Sequence, residues 1–151
     1  MLARTIWKRS AAEALRRAHA FAPYNLLFLE EPVLQEAVDV YREICDAAPA
    51  NVRIAGGEGS DTVRMAEDFI VNGGAAVIQI DQGRIGGLTS MYRVRQLCAK
   101  HNRVFVNHSF KSHLSIAAAL HVMATDSNSE VMVCLLLSNS QFCSINCDTE
   151  T

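Results

Sequence analysis

Leu26-Leu27-Phe28-Leu29-Glu30-Glu31-Pro32 sets four apolar residues directly against two carboxylates and a proline. An unbroken apolar run of this length reads as a strand buried on both faces, the kind found in parallel sheets covered by helices. Pro32 ends it, because a residue without an N–H cannot serve a ladder. Two adjacent acids at the mouth of a buried strand repel each other, so the pair makes sense if something cationic sits there. The rest of the chain repeats this arrangement, a buried strand followed by an ionisable residue at its C-terminal end.

Before the strand, residues 10–20 are alanine-rich and open with Ser10 and Glu13 at capping-box spacing, which predicts a helix. The strand itself is expected over residues 24–29. After it, Val38, Tyr41, Ile44 and Cys45 recur at helical spacing within residues 34–47. A short strand over residues 51–58 opens into Gly56-Gly57 and ends on Glu58. Ser60 is the expected cap of a helix running to Asn72, terminated by Gly73-Gly74. Residues 75–81 form a third strand ending on Asp81, and Gly86-Gly87 leads into a helix over residues 88–100. Residues 104–108 form a fourth strand ending on His108, a helix follows over 112–123, and residues 131–137 are a candidate fifth strand. Strands recur about every 26 residues, the length of a βα unit with short loops, and repeated units imply a parallel sheet with right-handed crossovers. Either an open doubly wound sheet or an arc of a (β/α)8 TIM barrel satisfies this pattern. A full barrel takes roughly 250 residues, so the chain holds about five of the eight units. The barrel-like domain is expected over residues 1–137, with 138–151 a disordered tail.

Composition narrows the function. The chain has 151 residues, 50% hydrophobic and 20% charged, with a formal net charge of −2. That balance, without a basic run, argues against a nucleic-acid partner. No apolar run is long enough to span a membrane, and the N-terminus lacks the apolar core of a secretory signal, so a cytoplasmic protein is expected. Cys45, Cys98, Cys134, Cys143 and Cys147 show no framework spacing. Cys143 and Cys147 could form half of a zinc site, but reduced thiols are the simpler reading.

Both architectures place chemistry at the C-terminal strand ends, where Glu30, Glu58, Asp81 and His108 fall. Glu30 and Glu58 come from neighbouring strands and suit Mg²⁺, a hard cation that takes oxygen ligands. Two solvated loop acids are the bland alternative; Gly56-Gly57, which would let the backbone approach a ligand, weighs against it. Asp81 bonded to one imidazole nitrogen of His108 would fix its tautomer and make it a general base or acid. His19, His101, His113 and His121 fall on helices or at their ends and read as structural. Gly86-Gly87 could hold an anion at a helix N-terminus, but without the full G-x-G-x-x-G the signal is weak and close packing of the turn is the better reason. Arg84 could pair with a substrate carboxylate or be an exposed loop arginine.

Taken in order, Leu29-Glu30-Glu31-Pro32, Ala55-Gly56-Gly57-Glu58, the run from Ile80 to Thr89, and Val106-Asn107-His108 resemble the barrel domain of the enolase superfamily, specifically its mandelate racemase/muconate lactonizing enzyme-type subgroup with its many acid-sugar dehydratases. The resemblance implies an enolase C-terminal domain-like partial barrel in which Glu30 and Glu58 are two of three Mg²⁺ ligands and Asp81 and His108 are the catalytic dyad. It implies proton abstraction α to a carboxylate, an enediolate stabilised by the metal, and in dehydratases loss of a β-hydroxyl. The chain departs from the pattern in several places. Aligned on Trp7, Leu2 and Arg4 stand where the family carries the first metal-binding Asp and an Asn. The family's lysine motif and capping domain have no counterpart, and Val133 falls where a Glu is common.

Three readings follow. The first is a partial Mg²⁺-dependent acid-sugar dehydratase, acting on a small-molecule carboxylate and inactive alone. The second is a non-catalytic fragment that oligomerises or needs a partner chain to complete the barrel, since an open arc has two unpaired edges. The third is a different βα enzyme binding phosphate at Gly86-Gly87.

Overall fold

The computed structural model describes residues 2–4, 10–109, 112–125, 132–135 and 142–145, and the side chains of residues 10–109 and 112–125. Five strands, β1 (Leu2–Arg4), β2 (Phe28–Glu30), β3 (Ile54–Gly56), β4 (Val77–Ile80) and β5 (Val104–Asn107), form one sheet in sequence order. Every neighbouring pair is parallel. The helices are α1 (Ala11–Phe21), α2 (Val38–Ala47), α3 (Val63–Asp68), α4 (Leu88–Lys100) and α5 (His113–Met123). The fold is α/β, a partial barrel built of successive βα units.

Local chemistry sets most boundaries. The Ser10 hydroxyl accepts from the Glu13 N–H at 3.4 Å. The Glu13 carboxylate turns instead to Arg16 and Arg17, at 2.8 and 2.9 Å. β2 begins later than expected because residues 22–24 form a 3₁₀ turn and Asn25 adopts a left-handed conformation, φ 48°. α2 likewise starts at Val38 rather than 34, after a loop in which the Tyr41 hydroxyl donates to the Val33 carbonyl at 3.2 Å. α3 is capped by Thr62, which accepts from the Met65 N–H at 3.2 Å, and not by Ser60. Ser60 is buried and receives the Gln35 amide at 2.7 Å, a contact from 25 residues away that outcompetes capping. A π turn over Phe69–Gly73 follows α3, and Gly74 closes it with φ 75°.

Strand alternation sorts side chains onto two faces. Leu29, Ile54, Ile78, Ile80 and Phe105 point toward the helices and pack with Ala14, Ala18, Tyr41, Ile44, Phe69, Ile70, Met91 and Val94 in the main core. Each Leu, Ile, Val, Phe or Met side chain among them contributes about 1.5–3 kcal/mol on burial. Phe28, Ala55, Val77 and Val106 form a smaller cluster on the other, concave face. Glu30, Gln79, Asp81 and His108 follow these residues at even spacing, so they continue the concave face toward its C-terminal rim.

Gly56 and Gly57 serve this packing rather than the approach of a ligand. A Cβ on Gly56 would lie 2.8 Å from the Tyr41 hydroxyl and 3.2 Å from Phe69 Cζ. Those two rings meet edge to face at 4.7 Å. Gly57 has φ 115°, and a Cβ there would approach the Gln79 carbonyl at 3.0 Å.

The C-terminal part differs from expectation. β6 (Met132–Leu135) lies within the candidate fifth strand but does not join the parallel sheet. It pairs antiparallel with β7 (Phe142–Ile145), which falls in the stretch read as a disordered tail. The link between them is too short for a parallel crossover, which needs a dozen or more residues, so a hairpin results. The fifth strand of the parallel sheet is instead β1, in which Leu2 and Arg4 are in register with Phe28 and Glu30. Trp7 and Cys147 lie outside the described residues, so neither the alignment anchor nor the cysteine pair has a structural account. No helix among the described residues is long and apolar enough to cross a membrane.

Candidate active site

Three of the four residues singled out from the sequence meet at the C-terminal ends of β3, β4 and β5. His108 Nδ1 lies 3.1 Å from Asp81 Oδ2, and His108 Nε2 lies 2.8 Å from Glu58 Oε2. All three side chains are nearly inaccessible, at 3–6% exposure. β5 delivers His108, whose N–H donates to the Ile80 carbonyl at 2.8 Å and so extends the ladder by one residue. Asp81 is fixed from its other side, because Oδ1 accepts from the Gly83 and Arg84 N–H groups at 2.8 and 3.2 Å.

Arg84 does not point outward for a substrate. Its guanidinium donates to Glu58 Oε1 at 3.1 Å and to the Glu58 carbonyl at 3.2 Å. The result is a chain of alternating charge, Arg84–Glu58–His108–Asp81. Burial alone would lower the basicity of His108, but its hydrogen bonds to Asp81 and Glu58 and their charges outweigh that and raise it to about 9. Burial works against the Asp81 carboxylate too. There the hydrogen bonds from His108 and from two backbone N–H groups win, and its pKa falls below the usual range.

Glu30 belongs to a neighbouring layer. Its Oε1 accepts from the Gln79 amide at 3.0 Å, a bond that passes from β2 to β4 across the end of β3. Side chains from alternate strands share a layer in barrels, and the same rule unites Glu58 and His108, which follow β3 and β5. Gln79 is fully buried, and its Oε1 has no hydrogen-bond partner among the described residues. Around the rim, Ser109 donates to Gln82 Oε1 at 3.3 Å and accepts from Asn107 Nδ2 at 3.0 Å. Gln35 braces the Glu58 loop, with Oε1 accepting from the Gly59 N–H at 2.8 Å.

Sequence reasoning passed over Gln79, Gln82, Ser109 and Gln35. Even spacing from Asp81 could have flagged Gln79; the others act through contacts far apart in the chain. His121 is bonded within its helix, Nδ1 to the Ala117 carbonyl at 2.7 Å, in keeping with a structural role. Gly87 caps α4 with φ 101°.

The donor set bears on a divalent ion. No group of three His, Cys, Asp or Glu residues is disposed to hold a metal among the described residues. Glu30 and Glu58 remain hard oxygen donors on adjacent strand ends, and Gln79 Oε1 is a neutral oxygen without a partner next to Glu30. Their chemistry fits Mg²⁺, although Glu58 now lies against His108 and Arg84.

Known proteins share this architecture. A family model described as enolase C-terminal domain-like matches residues 3–141. L-talarate/galactarate dehydratase of Salmonella typhimurium is 31% identical over 114 residues, covering 75% of this chain and 28% of that enzyme. The crystal structure of a predicted mandelate racemase from Rhodobacter sphaeroides superposes with a TM-score of 0.77 at 33% identity, over 87% of this chain and 33% of the other. A variant of L-talarate/galactarate dehydratase liganded with Mg and L-glucarate superposes with a TM-score of 0.69 at 26% identity, over 78% of this chain and 30% of that one. The chain thus spans about a third of the length of these relatives.

Proposed function

The chain belongs to the enolase C-terminal domain-like family, and we propose that it is the part of an acid-sugar dehydratase-type barrel that carries the proton-transfer dyad. The observation that supports this reading is the bridging of His108 between Asp81 and Glu58 at 3.1 and 2.8 Å, on consecutive strand ends of a parallel sheet.

Asp81 holds Nδ1 of His108, which leaves Nε2 as the atom that exchanges a proton with substrate. Glu58 sits on that same atom, so His108 engages substrate once Glu58 turns away. Glu30 and Glu58 would hold Mg²⁺, and the ion when bound would stabilise negative charge developing on a substrate carboxylate. Gln79 keeps Glu30 oriented through its amide. In the relatives' pattern a third carboxylate stands where this chain has Leu2, so binding is weak and these 151 residues alone turn over little or no substrate.

The test incubates the purified chain with Mg²⁺ and a library of acid sugars, scoring dehydration and exchange of the α-proton with solvent deuterium. Neither reaction is expected. Clear turnover abolished by His108→Asn would refute the incompetence of the isolated chain while supporting the dyad. Turnover unchanged by that substitution would refute the dyad.

A second reading is a non-catalytic chain that associates with a partner completing the barrel. It is favoured by the five-stranded arc, in which β1 has a sheet neighbour on one side only among the described residues. Size-exclusion chromatography separates the two, since a compact monomer contradicts association.

A further inference from the structure

Gln79 interrupts the apolar run of β4 with a polar side chain. It is fully buried on the concave face, one layer above Phe28, Ala55, Val77 and Val106. Its Nε2 donates to Glu30 Oε1 at 3.0 Å. That bond fixes the amide, because turning it over would set its carbonyl oxygen against a carboxylate that can only accept. Gln79 Oε1 is therefore turned off Glu30 Oε1, and it has no hydrogen-bond partner among the described residues. A buried carboxamide oxygen left bare destabilises a fold, so the position makes sense with a donor that these residues do not supply.

The polar side chains of the rim are aimed elsewhere. Gln35 Nε2 donates to Ser60 at 2.7 Å, Asn107 Nδ2 to Ser109 at 3.0 Å, the Ser109 hydroxyl to Gln82 at 3.3 Å, and the Arg84 guanidinium to Glu58 at 3.1 Å. Gln79 itself touches both halves of the candidate ligand pair. Its amide holds the Glu30 side chain, and its main-chain carbonyl lies where a Cβ on Gly57 would meet it at 3.0 Å, so the glycine lets the loop bearing Glu58 settle onto β4. A donor that is itself carried by a cation suits such a place. Mg²⁺ bound by one or two carboxylates keeps several of its waters, and their O–H groups point outward to the surrounding acceptors.

We infer that Gln79 is a positioning residue for a divalent ion at this site: Nε2 holds Glu30 in place, while Oε1 accepts from a water on the ion carried by Glu30 and Glu58. The inference rests on the reading of those two carboxylates as ligands. Partners at this remove orient the ligating groups, and losing one typically weakens binding by roughly ten-fold or more.

Carbon-13 NMR of the whole chain labelled at glutamine Cδ, titrated with Mg²⁺ alone, tests it. A hydrogen bond to Oε1 deshields the carboxamide carbon. The Gln79 signal, assigned by through-bond correlation, should move downfield and saturate with the ion, while that of Gln96, exposed on α4, stays in place. Titration with Mn²⁺, followed by EPR, should show binding weakened by roughly ten-fold in Gln79→Met and unchanged in Gln96→Met. The NMR measurement needs only the wild-type chain, so it decides the matter even if Gln79→Met fails to fold. A Gln79 carbon indifferent to Mg²⁺, or undiminished Mn²⁺ affinity in a folded Gln79→Met chain, would overturn the inference alone, provided that Glu30→Gln still weakens binding. No saturable binding, or binding indifferent to Glu30→Gln, would overturn the ligand pair and the inference with it.

Discussion

Removing the imidazole of His108 should change how the stability of the chain depends on pH, by an amount that follows from its surroundings. The ring is buried between two carboxylates and raised from 6.5 to about 9. A difference of that size between folded and unfolded states corresponds to about 3 kcal/mol of folding free energy. Because the folded value is the higher one, this stabilisation is fully present below about pH 6.5 and is lost as pH rises through about 9. Urea denaturation of the metal-free chain at a series of pH values, for wild type and His108→Gln, isolates the effect. The wild type should lose about 3 kcal/mol relative to the variant between those limits. Asp81 works in the opposite direction, its contribution being present above the ordinary carboxylate pKa and lost as pH falls through its depressed value. It therefore does not contaminate the alkaline limb. Parallel profiles for wild type and variant would refute the claim that Glu58 and Asp81 both hold the ring in its charged form.

Two further outcomes follow from the geometry. Gly56→Ala should destabilise by about 1–3 kcal/mol through overpacking against Tyr41 and Phe69, and adding Tyr41→Phe, which removes the atom met at 2.8 Å, should cost less than the two single changes summed; strict additivity in denaturant titrations would contradict this. Arg84→Gln should tighten Mg²⁺ binding several-fold by removing a cation that competes for Glu58, since a pair between a half-buried arginine and a buried carboxylate is worth about 1 kcal/mol or more; unchanged or weaker binding in a dye-competition assay would show that Glu58 is not a ligand.

The sequence made the barrel units legible where local signals were strong. α4 was expected over residues 88–100 and lies at Leu88–Lys100, because Gly86-Gly87 starts it and the apolar spacing of Met91, Val94 and Cys98 runs unbroken through it. The resemblance to the enolase superfamily is borne out by the family match. Boundaries failed where a distant residue decided them. Ser60 reads as the cap from sequence, and only its bond to Gln35, far upstream, explains why Thr62 caps the helix instead. Gly56-Gly57 read as room for a ligand because the residue that fills the space, Tyr41, belongs to a different element. Arg84 reads as exposed or substrate-facing until the fold brings the Glu58 loop to it. The strand expected over residues 131–137 is present as β6, but apolar composition marks a strand without saying which partner it will choose, and its pairing with β7 was not foreseen.

The division of labour between alternate strands also limits which length changes the chain can tolerate. One residue inserted within β5 would turn His108 from the hollow to the helix-facing side and break its contacts with Glu58 and Asp81 together. A two-residue insertion would restore its direction but lift it by about 7 Å along the strand, beyond reach of both acids. Natural variants and engineered chimaeras of this unit should therefore vary in length between the strands, in the helices and their returning loops, and leave the few residues leading into 58, 81 and 108 untouched.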